Sequence, residues 1–117
     1  MKTILFFLVY QSFALGAISL KIEVELDQQK LHHATVRVAP NEWTTIKTRS
    51  LELRLKASPA ETAVQVDCEV SERVNGQSIL KGKPVVTTKW GYPAEVSSHG
   101  KDKSLIYRFK VLPSKNG

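Results

Sequence analysis

Leu20, Ile22, Val24 and Leu26 alternate with Lys21, Glu23 and Glu25. A period of two puts the apolar set on one face and the charged set on the other, which predicts a half-buried β-strand. The same alternation recurs where Leu51, Leu53 and Leu55 interleave with Glu52, Arg54 and Lys56, and at the end of the chain in Leu105, Tyr107, Phe109 and Val111. Residues 31–38, rich in Thr and Val, and 64–74, with alternating valines, predict two further strands, with shorter ones over 43–46, 84–90 and 94–97.

The residues between these segments are turn formers. Asp27-Gln28-Gln29-Lys30 is a polar turn, and Pro40-Asn41 ends the second strand. Asn75-Gly76 is the strongest hairpin signal, because both residues tolerate the positive φ of a type I′ turn, and the return strand begins at Gln77. Ser58-Pro59-Ala60-Glu61 has the pattern of a helix start. Valine alternation resumes so soon afterwards that at most one helical turn is expected there. Gly82 predicts a bulge or break, Gly91-Tyr92-Pro93 a turn, residues 99–103 an exposed loop, and Pro113 the end of the last strand. Turn signals every eight to twelve residues and no repeat predict an all-β domain. The expected fold is a single antiparallel β-sandwich or partly open barrel of about seven strands over residues 18–113, with a frayed tail over 114–117.

The first sixteen residues do not belong to that pattern. Lys2 precedes the apolar run Ile4-Leu5-Phe6-Phe7-Leu8-Val9 and a small-residue end at Ala14 and Gly16, the order of parts in a secretory signal peptide cleaved after Gly16. Gln11 and Ser12 break the run short of the ~20 apolar residues that a membrane span needs. The mature chain is therefore expected in the periplasm or secreted, with no transmembrane span after signal cleavage.

Charge adds a second division. Residues 18–76 carry eight Lys or Arg against nine Asp or Glu, and residues 77–117 carry eight against two, so the net +6 of the chain resides in its last third. Such a field attracts anionic surfaces, or it serves only as a solvated face. Export and the lack of a binding motif speak against nucleic acid. Cys68 is the only cysteine, so no intramolecular disulfide forms, and its place among Val64, Val66 and Val70 predicts a buried, inert thiol.

Catalytic and metal-binding patterns are not found. His32 and His33 are neighbours on a strand and point to opposite faces, which does not suit one metal ion, and His99 lies in a loop. There is no Gly-x-Ser-x-Gly elbow, and Glu23 and Glu25 lie on an expected solvent face. No catalytic residue, metal ligand or cofactor is assigned.

Pro84, Thr88, Gly91, Ala94 and Val96, with Val111-Leu112-Pro113 closing the last strand, fall at spacings that resemble the short C-terminal β-segment of bacterial secretins. The resemblance covers residues 79–113. It implies a small β-domain of a Gram-negative-type envelope, not a pore, because the chain has no room for a secretin's other domains. Function is thus expected to be non-enzymatic binding or assembly in the bacterial envelope, beside a secretion or pilus apparatus, with an envelope protein or an anionic surface as partner. Lys81, Lys83, Lys89, Trp90, Tyr92, Arg108 and Lys110 are the candidate binding residues. Pairing of the segments around Lys89 and Lys110 would join them in a basic stripe flanked by aromatic rings. The alternative is an exported hydrolase or carbohydrate-binding protein with an unrecognised site.

Overall fold

The computed structural model describes residues 17–26 and 29–115, the side chains of residues 29–33 excepted. Residues 1–16, where a signal peptide is expected, Asp27-Gln28 of the expected first turn, the side chains of His32 and His33, and Asn116-Gly117 lie outside the described residues. Among the described residues there are nine strands and no helix. They are β1 (Ile18–Leu26), β2 (Gln29–Val38), β3 (Thr44–Lys47), β4 (Leu51–Pro59), β5 (Ala63–Val74), β6 (Gln77–Gly82), β7 (Val85–Lys89), β8 (Ala94–His99) and β9 (Leu105–Lys115).

Two antiparallel sheets form, one in the order β2-β1-β9-β8, the other in the order β3-β4-β5-β6 with β7 also on β5. β5 is long enough to carry two partners in line: β7 pairs with residues 63–67 and β6 with residues 70–74. Since β4 occupies the other side of β5, β6 and β7 amount to one broken strand at a sheet margin. The expected sandwich is therefore present, four strands wide in each layer. Within each sheet most neighbours are consecutive in sequence, and β9 returns to pair with β1, so the first and last strands lie side by side.

Alternation places the core. The inward set includes Leu20, Ile22 and Val24 of β1, Leu51, Leu53 and Leu55 of β4, Val64, Val66, Cys68 and Val70 of β5, and Phe109 and Val111 of β9, all essentially inaccessible to solvent. Val36 and Ile46 lie partly buried against the core, as do Trp90, Ala94 and Val96 where β7 approaches β8. Every one of the core residues is apolar, so cohesion comes from apolar burial and packing.

Local details follow the residue types, with three corrections. Asn75 (φ 54°) and Gly76 (φ 79°) make the expected two-residue hairpin. Pro59 closes β4, and residues 60–62 form a tight turn with Ala60 N–H donating to Ala63 C=O, in place of a helical turn. Three residues between two paired strands leave no room for a helix. β9 does not stop at Pro113 but runs on to Lys115, whose register partner is Ile18, so Ser114 and Lys115 belong to the sheet. Pro113 C=O accepts from Gly91 N–H, which places the proline's own ring nitrogen on the β8 side, past the end of that strand. The ladder to β1 needs nothing from it.

The third correction concerns pairing. β7 lies against β5, and β9 lies between β1 and β8. The segments around Lys89 and Lys110 are in different sheets, and the resemblance segment crosses from one sheet to the other at residues 90–93.

Candidate binding surface

Lys81, Lys83 and Lys89 mark the β6–β7 margin. Lys81 Nζ is 3.4 Å from the Glu72 carboxylate across the β5–β6 hairpin. Lys83 occupies the break between the two strands, and Lys89 ends β7 opposite Ala63. The break is fixed by Gly82, where a Cβ atom would run into the Tyr107 ring from the opposite sheet, and by Pro84, which has no N–H to offer. Leu80 and Val85 flank the break and are 50% and 54% exposed. Residues 77–94 contain three lysines and no acid.

The turn after β7 supplies the aromatic residues. Tyr92 N–H donates to Lys89 C=O at 3.1 Å, and Thr88 Oγ1 donates to Tyr92 C=O at 3.1 Å. Gly91 has φ 82°, the left-handed geometry that a type II turn requires at its third residue. Tyr92 is 62% exposed at the corner. Trp90 instead packs partly buried against the core, with Lys115 Nζ 5.3 Å from its ring centroid. Its indole nitrogen is buried without a hydrogen-bond partner. Trp90 covers the seam between sheets, while Tyr92 projects from it.

Arg108 and Lys110 are on the outer face of the other sheet, in acidic company. Arg108 Nη1 donates to Glu25 Oε1 at 2.6 Å and its Nε is 3.4 Å from Glu95 Oε2. Lys110 stands in register with Glu23 on one side and Glu95 on the other. These five residues line a shallow depression of about 250 Å³, with three carboxylates against two cations. Glu25 and Glu95 share one guanidinium; they do not face each other across a gap as an acid and base would. The seven candidate residues thus divide: Lys81, Lys83, Lys89 and Tyr92 lie along one margin, Trp90 packs partly buried against the core beside it, and Arg108 and Lys110 belong to a self-compensated ladder elsewhere.

Two features escaped prediction. Trp43, just before β3, is stacked over Arg54 with the guanidinium carbon 4.6 Å from the ring centroid, and Lys56 Nζ is 5.3 Å away. Arg54 also reaches Glu69 at 3.0 Å, so this aromatic is held in a charged cross-strand cluster. The exposure of Leu80 at the margin escaped as well, whereas Val85 lies on the face that it shares by alternation with Thr87 and Lys89.

Cys68 is buried opposite Leu55. Desolvation, reinforced by the neighbouring Glu69 charge, pushes its thiol far above the usual range. Among the described residues, no group of three His, Cys, Asp or Glu side chains is placed to hold a metal ion, and no helix is long and apolar enough to cross a membrane. The chain matches no family model, no curated protein and no solved structure.

Proposed function

We propose that the protein is a non-enzymatic binding module of the bacterial envelope, an assembly component beside a secretion or pilus apparatus, and that it engages an anionic protein partner through the β6–β7 margin. The observation that carries this reading is the exposure of Leu80, Val85 and Tyr92 in a stretch that holds lysines and no acid. Isolated surface apolar residues are ordinary, but exposed aliphatic and aromatic groups that share a sheet margin with Lys83 and Lys89 suit recognition, Lys81 being paired with Glu72. The N-terminal pattern supports export, and the spacing of Pro84, Thr88, Gly91, Ala94 and Val96 supports the link to secretin-like envelope components.

Crosslinking in intact cells tests the proposal. The protein should capture a defined envelope protein at low salt and lose it at high salt, since exposed charges are screened beyond ~10 Å at 0.1 M. The double variant Lys83→Glu/Lys89→Glu should abolish capture, whereas Arg108→Glu on the compensated ladder should leave it. Equal capture by all three proteins at every salt concentration would remove the margin from consideration.

A further inference from the structure

The free edge of β7 has a backbone polarity that its register determines. Cys68 N–H donates to Pro84 C=O at 2.9 Å, and in an antiparallel ladder hydrogen-bonded pairs alternate with pairs whose polar groups point away. The register runs Asp67↔Val85, Val66↔Val86, Gln65↔Thr87, Val64↔Thr88 and Ala63↔Lys89. The N–H and C=O groups of Val86 and Thr88 therefore face β5, and those of Val85, Thr87 and Lys89 face the open side. Lys89 C=O is engaged by the turn. The others, two carbonyls and three N–H groups, point to a side on which no strand pairs.

Side chains and edge coincide here. Val85, Thr87 and Lys89 are all exposed, so the residues with free backbone groups also present an apolar, a hydroxyl and a cationic group in order along the strand. An unpaired edge is a template for another strand, and specificity in strand addition comes from the flanking side chains. The break before Val85, where β7 begins, bounds the template at one end and the Gly91 turn at the other.

Building on the binding-module reading, we propose that β7 accepts an acidic extended segment of another protein as an added strand. The segment bonds to the open groups of Val85 and Thr87 and to the Lys89 N–H, sets an apolar side chain against Val85 and directs carboxylates to Lys83 and Lys89. A second copy of the chain is the poorer occupant, because self-pairing brings the same lysines together and like charges on facing strands repel.

The probes are three capped ten-residue peptides added to the purified protein: one alternating Glu and Val, one alternating Lys and Val, and the Glu/Val peptide N-methylated at alternate residues. The Glu/Val peptide should shift the amide resonances of residues 85, 87 and 89, and the other two should bind at least tenfold more weakly. Thr87→Pro removes one open N–H and no ladder bond, so it should keep the fold and lose binding tenfold or more, while Thr87→Val keeps binding. Should Thr87→Pro unfold, the N-methylated peptide alone decides. No binding of the Glu/Val peptide at millimolar concentration overturns strand addition. Binding within twofold for Thr87→Pro and the N-methylated peptide also overturns it, leaving a purely electrostatic surface and the binding-module reading intact. If Lys83→Glu/Lys89→Glu too leaves binding unchanged, that reading fails as well. A dimer that forms without peptide and is lost in Thr87→Pro would assign the edge to a second copy and overturn the proposal.

Discussion

Gly82 is required by a neighbour more than by its own backbone. A Cβ there would meet the Tyr107 ring, and Tyr107 is buried against the core, so Gly82→Ala forces the ring or β6 to move. Overpacking of this kind costs about 1–3 kcal/mol, measurable as a lower denaturant midpoint. In a Tyr107→Leu background the same substitution should cost clearly less, because the pair is coupled through one contact. Cys68 makes the second residue-scale prediction. With its thiol pushed up by burial, it should not react with a disulfide reagent at pH 8 in the native state and should react fully in denaturant. Sequence pattern reached Cys68 through the valines two residues away on either side. It reached Gly82 only as a break, since the ring that needs the space comes from residue 107 and no local pattern encodes that approach.

Among the elements, strand faces were legible and strand neighbours were not. Alternation around Leu51, Leu105 and Leu20 identified the buried faces, because a single slip in a two-residue period would turn every side chain over. Nothing in that period says which strand lies alongside, and the pairing on which a basic stripe through Lys89 and Lys110 depends is ruled out by the division between sheets. Arg108 and Lys110 look basic in sequence and are offset in space by Glu23, Glu25 and Glu95, which are remote in the chain. Pro113 likewise reads as a terminator until the hydrogen bond to Gly91 shows which side its nitrogen faces. The β8–β9 connection carries a pH prediction of its own. The Asp102 carboxylate accepts from Ser104 Oγ at 2.7 Å and from Ser104 N–H at 3.1 Å, and the hydroxyl first, then the amide, holds its carboxyl below the usual aspartate range. A carboxyl lowered by folding stabilises the turn above the ordinary aspartate range and loses that contribution as pH falls through the folded value. A side-chain titration by NMR should therefore place the Asp102 transition below that of an unstructured aspartate, and Ser104→Ala should move it back up.

At the scale of the whole molecule, the two layers differ in what they expose. One carries a ladder of paired opposite charges across β1, β9 and β8, and the other ends in a lysine-bearing margin with apolar groups beside it. The adjacency of the first and last strands also bears on how the chain could be cut. Ile18 and Lys115 are register partners on adjacent strands, so joining them with a short Gly/Ser linker and opening the backbone between Asn75 and Gly76 would reorder the sequence while every pairing persists. Such a circular permutant is expected to fold with the parent's amide spectrum away from the new ends, as seen by NMR, because exposed turns tolerate new termini. Its new termini would project from the β5–β6 hairpin, well away from the Tyr92 corner where Lys115 now lies over Trp90. For this fold, the point at which the polypeptide starts is a detail of connectivity that the two sheets do not need.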